Sequence, residues 1–318
     1  MVNRRVVSVV VSGTLTNLTS ASSVSVAPDT VIFLESNGYV PVIFESVSTN
    51  MTLQATGTLD SMTPARPTIF TSWEPPIMSQ EELSALPTFL AESVLIGGHV
   101  RLPVNIRVPI SASGIWSIVG IPASSGTAFM NAVGSFVLMG DENKRTRLVL
   151  NPTNPSAYTL DNALTYVETT ASASFSLTFQ VLCAFDQTLS GQITPLEARI
   201  ALATDITYIP YAILNSLYTE FGLLGTFVMD NRSLYILVND GDIDSFPTIT
   251  LSINSVVLAL YPQDYLVPLS GGEPGRTRYS LMLGGHPDRI IRLGRHIMGK
   301  FAIHVDPANN RIGFGESI

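Results

Sequence analysis

The sequence predicts an all-β chain, mainly strands with a few short helices, arranged as two lobes. Three observations carry this. Short runs rich in Val, Ile, Thr, Phe and Tyr recur throughout, broken by Gly, Pro, Asn and Ser, which is the pattern of many short strands. Examples are V-V-S-V-V-V at 6–11, H-V-R-L-P-V-N-I-R-V-P-I at 99–110, S-F-S-L-T-F-Q-V-L at 174–182 and T-I-T-L-S-I-N-S-V-V-L-A-L at 248–260. Helical periodicity is scarce: Gln80 to Leu86, with Ser79 placed to cap it, and Tyr211 to Phe221, entered through Pro210. The length of 318 residues suits two units of roughly 150 residues each.

Proline-rich loops at Pro64 to Pro76 and Pro152 to Pro155 punctuate the first half. The second loop precedes a long strand-like stretch and sets the expected boundary, with a first lobe over 1–165 and a second over 166–318.

Hydrophobic residues make up 46% of the chain and charged residues only 13%, about half the usual share. Lys144 and Lys300 are the only lysines, so nearly all positive charge is arginine, the cation favoured at protein interfaces. This composition fits a chain packed against other proteins within a larger complex, and it equally fits a β-rich domain with a Ser/Thr surface. The net charge of -8 argues against a nucleic-acid partner, because phosphate contacts require clustered positive charge. Charge is uneven: Val6 to Val100 holds eight acids and one base, Arg66, whereas Arg276 to Arg311 holds seven bases and two acids.

Cys183 is the only cysteine, so no disulfide forms within the chain. The start, M-V-N-R-R-V-V-S-V-V-V-S-G, reads as a first strand, and no apolar run approaches the roughly 18 residues of a membrane span. The expectation is an intracellular, cytoplasmic protein with no membrane span.

Several local patterns stop short of a site. L-G-R-H-I-M-G-K-F, Leu293 to Phe301, nearly spells a phosphate-binding loop, but Phe301 stands where a magnesium-holding Ser or Thr is required. Asp240, Asp242 and Asp244 alternate like a calcium loop, yet Ser245 replaces its glycine and Leu251 its closing glutamate. His99, His286, His296 and His304 are dispersed without metal-ligand spacing, and Cys183 lies in an apolar strand as a packing residue. No metal and no cofactor are expected.

The C-terminal part fits a different pattern. From Phe246 the chain reads F-P-T-I-T-L-S-I-N-S-V-V-L-A-L-Y-P-Q-D-Y-L-V, and from Ile291 I-R-L-G-R-H-I-M-G-K-F-A-I-H-V-D-P-A-N-N-R-I-G-F-G-E. Together these resemble the end of the pepsin-like aspartic proteases: a strand hairpin, a hydrophobic-Leu-Gly signature, a short helix and a last strand closing on D-x-x-N-x-x-I-G-F. Phe89 to Pro122 resembles a first-lobe hairpin followed by the equivalent loop Ile118, Val119, Gly120. The resemblance implies a bilobal acid-protease double barrel in which Gly120 and Gly294 are the scaffold-loop glycines.

The family's chemistry uses two aspartates, one per lobe, each in an Asp-Thr-Gly turn and close enough to share a proton. In the second lobe, A-R-I-A-L-A-T-D-I-T-Y-I-P resembles the strand and turn, placing Ala201, Leu202 and Ala203 on the triplet with Thr204 and Asp205 following. In the first, S-N-G-Y-V-P resembles Ser-Asn-Leu-Trp-Val-Pro and places Ile32, Phe33 and Leu34 on the triplet, with Ser36, Asn37 and Tyr39 toward the cleft. A second register uses Asp29, Thr30 and Val31. The flap tyrosine has no counterpart between Tyr39 and Tyr158.

The resemblance therefore implies a pseudoprotease: a non-catalytic pepsin-like protein serving as a binding or structural subunit, with room for an extended peptide in the interlobe cleft. The alternatives are an atypical active aspartic endopeptidase using Asp29 and Asp205, and a viral capsid or shell protein suggested by the lysine-poor, β-rich composition.

Overall fold

The computed structural model describes residues 6–8, 13–14, 25–35, 39–59, 85, 87–109, 118–120, 128–140, 146–169, 178–185, 196–201, 204–230, 233–253, 256–287 and 290–318. The first half supplies β1 (Val6–Ser8), β2 (Gly13–Thr14), β3 (Thr30–Phe33), β4 (Val40–Ser46), β5 (Met51–Thr58), β6 (Thr88–Ile96), β7 (Val100–Pro109), β8 (Ile118–Gly120), α1 (Ala128–Val133), β9 (Phe136–Gly140) and β10 (Thr146–Leu150). β11 (Thr165–Glu168), β12 (Thr178–Phe185), β13 (Leu196–Ala201), β14 (Thr207–Pro210), α2 (Tyr211–Leu224), β15 (Thr226–Asp230), β16 (Ser233–Asn239), β17 (Ile249–Ile253) and β18 (Val256–Leu260) follow. The chain closes with α3 (Pro262–Tyr265), β19 (Leu266–Glu273), β20 (Arg276–Leu281), β21 (Leu283–His286), β22 (Ile290–Gly294), α4 (Arg295–Met298), β23 (Phe301–Asp306) and β24 (Arg311–Glu316).

Period-two alternation builds the strands. In β4, Val40, Val42, Phe44 and Ser46 point inward while Pro41 faces solvent. In β6, Phe89 and Ala91 are buried, a register shift between Ala91 and Ser93 resets the pattern, and Val94 and Ile96 return to the core. α2 begins after Pro210 and runs one turn beyond the expected Phe221, burying Leu214, Leu217 and Phe221 on one face. The Phe221 ring stacks on Tyr265, with centroids 5.6 Å apart. Each such side chain contributes about 1.5–3 kcal/mol on burial. The expected helix over Gln80 to Leu86 lies outside the described residues, Ala85 apart.

The two halves repeat one strand plan. In the first, β4 pairs antiparallel with β5 and β6, β6 with β7, and β5 lies parallel to β8. In the second, β12 pairs antiparallel with β13 and β17, β17 with β18, and β13 lies parallel to β22. Between them runs a six-stranded sheet in the order β11-β24-β23-β9-β10-β3, drawing strands from both ends of the chain. Its central strands β9 and β23 are buried along their whole length, because both faces are covered. Among the described residues, no helix is long and apolar enough to cross a membrane.

The structure corrects the first-lobe register. Ile32, Phe33 and Leu34 do not lie beside Gly120. β3 belongs to the six-stranded sheet, where Ile32 pairs with Leu148 and Phe33 with Arg147, and the Leu34 N–H donates to the Thr146 carbonyl at 2.9 Å. Tyr39, Val40 and Pro41 enter β4, the strand that precedes β5, rather than one that follows a catalytic turn. Ile32 is buried against the β6–β7 hairpin. A Cβ on Gly97, whose φ is +58°, would lie 2.5 Å from Ile32 Cδ1, so Gly97 serves both the left-handed turn and this contact.

Candidate functional site

The site is built where β13 ends beside β22. Their parallel register sets Ala198 opposite Ile291, Ile200 opposite Leu293 and Ala201 opposite Gly294. The chain returns over this point as Thr204, Asp205 and Ile206. Thr204 Oγ1 accepts the Ile206 N–H at 3.2 Å, closing a tight turn. The Thr204 carbonyl accepts the Arg295 N–H at 2.7 Å, and the Gly294 N–H donates to Thr207 Oγ1 at 2.8 Å. A Cβ on Gly294 would lie 2.4 Å from the Ile206 carbonyl oxygen and 2.6 Å from that of Asp205. Only glycine lets the two backbones pass this closely.

Asp205 stands at this turn and is already engaged, because the Arg295 guanidinium donates to its Oδ1. The Arg295 side chain is 9% exposed and that of Asp205 55%, so the pair spans the boundary between interior and solvent. Tyr39, from the entry to β4, is buried here as well. Burial pushes its phenol up, and the Arg295 charge pulls the other way. The structure thus brings Tyr39, Thr204, Asp205 and Gly294 together around Arg295, a residue the sequence reading passed over. The signal was present: an arginine directly after a close-approach glycine, with an acid four residues past Ala201.

The first lobe repeats the arrangement two strands later than expected, at β5 instead of β3. β5 runs parallel to β8 with Thr56 opposite Ile118, Gly57 opposite Val119 and Thr58 opposite Gly120. Thr58 therefore holds the register position that Ala201 holds in the second lobe. Leu59, next along, is buried. Ser36, Asn37, Leu202 and Ala203 lie outside the described residues, as does the segment 60–84, which contains Trp73.

Asp29 and Asp205 are not joined. Asp29 accepts the Thr153 N–H at 3.0 Å, Thr153 Oγ1 at 2.6 Å and the Tyr158 hydroxyl at 3.0 Å, whereas Asp205 faces Arg295. Bonds from Thr153 hold the Asp29 carboxyl below its ordinary value. Its role is to tie the turn before β3 to the loop after β10. Among the described residues, no cluster of three or more His, Cys, Asp or Glu could hold a metal ion.

No protein-family model matches the chain, and no curated protein matches it by sequence. Among solved structures it is similar to an aspartic proteinase from Irpex lacteus, with a TM-score of 0.60 and 13% identity over 91% of this chain and 97% of that one. The strand plan, the repeated glycine register and this likeness identify the architecture as the bilobal, pepsin-like aspartic-proteinase fold.

Proposed function

We propose that the chain is a non-catalytic pepsin-like protein that acts as a protein-binding or structural subunit of a larger assembly. The observation that carries this reading is the pair of equivalent register positions, Ala201 opposite Gly294 and Thr58 opposite Gly120. Neither side chain ionises near neutral pH, and proton sharing over an attacking water requires two groups that do. Asp205, the acid four residues past Ala201, is held by a cation instead of a second carboxylate. A charge-poor composition in which nearly all positive charge is arginine supports burial of surface against partner proteins.

Incubation of the pure protein with an unfolded substrate from pH 3 to 7 tests the catalytic half of this reading. The expected result is no cleavage above that of a buffer control, with or without pepstatin. Pepstatin-sensitive cleavage abolished by Asp29→Asn, Asp205→Asn or Asp60→Asn would overturn it; Asp60 is included as the acid nearest Thr58 in the sequence. Co-purification from the native source tests the other half. A stoichiometric assembly supports a subunit role, a lone monomer opposes it, and regular particles of this chain alone would favour a shell protein.

A further inference from the structure

The six-stranded sheet carries a buried titratable group that the proposed role does not use. His304, in β23, is 4% exposed. Its Nδ1 lies 2.8 Å from the Tyr166 hydroxyl, and its Nε2 is buried with no hydrogen-bond partner among the described residues. Tyr166 comes from β11, a four-residue strand that, among the described residues, stands at the sheet edge with its ladder made to β24 alone. Tyr166, Gly313 and His304 stand in one row across β11, β24 and β23. A Cβ on Gly313 would lie 2.8 Å from the Tyr166 ring, so the missing side chain in the middle strand is what lets the phenol reach the imidazole.

We propose that the Tyr166–His304 contact is an acid-released latch, which holds β11 to the sheet while the imidazole is neutral and frees it when the imidazole takes up a proton. A neutral imidazole needs only one strong partner in this position, and Tyr166 supplies it. The imidazolium carries a second N–H donor, and its Nε2 is sealed where no described group accepts it. The neighbouring charges do not compensate. From β23 itself comes Asp306, already accepting Arg311 Nε at 2.8 Å and Asn309 Nδ2 at 2.8 Å. From β24 comes the Arg311 cation, its guanidinium carbon 4.1 Å from the Tyr166 ring centre. β11 adds Tyr166 and, opposite Arg311 in register, Glu168. β9 brings only apolar residues, and α4, which also packs on β23, contributes Arg295, committed to Asp205, and His296.

Burial, opposed by Asp306 and aided by Arg311, holds the proton affinity of His304 below that of an ordinary histidine. With β11 released, His304 in β23 binds the proton more readily than in the closed sheet. Opening is therefore favoured as pH falls below about 6.5, by up to tenfold per pH unit, and the effect ends once closed His304 is itself protonated. β11 should respond first, since edge strands with one partner open at the lowest cost.

Two measurements on the full chain test this. Histidine ring resonances followed from pH 8 to 4 should show His304 titrating below 6.5; titration at or above that value overturns the proposal. Amide exchange, corrected for its intrinsic pH dependence, should show Tyr166 to Glu168 losing up to tenfold more protection per pH unit than Val137 to Met139 between pH 6.5 and 5. Equal loss in both strands, or none in β11, also overturns it. His304→Gln should remove the selective loss, and Tyr166→Phe should raise β11 exchange already at pH 7. If the glutamine variant does not fold, the two wild-type measurements decide alone.

Discussion

Asp205→Asn isolates the interaction at the centre of the site. The substitution keeps the shape of the side chain and removes its charge, leaving a guanidinium whose side chain is only 9% exposed with one anion fewer. An exposed ion pair contributes about 0–1 kcal/mol, and breaking a fully buried one costs about 3–5 kcal/mol. This pair lies between those limits, because Asp205 is 55% exposed and water can reach the vacated oxygen position. A hydrogen bond to a charged group contributes about 1.5–3 kcal/mol, so a destabilisation of about 2 kcal/mol is expected. At roughly 2.1 cal/mol/K per residue, cooperative unfolding of 318 residues converts this to a melting shift of about 3 °C. Urea unfolding followed by far-ultraviolet circular dichroism measures it directly. The double variant Asp205→Asn with Arg295→Met should recover part of the loss, since it removes the cation that the single variant strands. A loss below about 0.5 kcal/mol, the range of an ordinary surface substitution, or strict additivity in the double variant, would refute the reasoning.

Two further outcomes follow from local geometry. Gly294→Ala forces a Cβ to within 2.4 Å of a backbone oxygen and should cost about 1–3 kcal/mol or more, whereas Gly222→Ala, in α2 with nothing within 4 Å, should stabilise by about 0.5–1 kcal/mol; thermal melts of the two variants should move in opposite directions. Asp29 is held ionised chiefly by Thr153, so its contribution to stability is present above the unfolded carboxylate value of about 3.9 and is lost as pH falls through the lower folded value. Asp29→Asn suits the left-handed φ of +57° there, and should flatten the stability curve below about pH 4 while leaving its slope above pH 5 unchanged in urea titrations.

Much of this architecture was legible because strands carry their own period. Phe89 to Ile96, Ile249 to Ile253 and Phe301 to Val305 are alternating or largely apolar, and each forms a strand where the pattern puts one. Leu293 and Gly294 were readable for a different reason: a glycine demanded by backbone contact stands directly after an apolar residue, a pairing visible in the letters themselves. The first lobe was misread because pairing partners are tertiary information. T-V-I-F and M-T-L-Q-A-T-G-T are both strands, and it is the S-N-G-Y-V-P after the first of them that resembles the residues following a catalytic turn. Only the ladders reveal that β5, with Thr58 at its end, lies beside Gly120. Arg295 escaped notice because its partner, Asp205, is ninety positions away in sequence and adjacent only through the approach over Gly294.

The six-stranded sheet also bears on whether either half can exist alone. Its inner strands β9 and β23 are hydrogen-bonded to each other, one from each half, with Val137 opposite His304 and Leu138 opposite Ile303. Cutting the chain at residue 165 would strip each half of that partner and leave a strand that is buried along its whole length, F-V-L-M-G or F-A-I-H-V-D, as an open edge. Bare edges of this kind pair with whatever strand they meet, so separately produced halves should aggregate or recombine with each other. A fragment carrying one lobe is therefore not a self-sufficient module, because each half completes the sheet of the other.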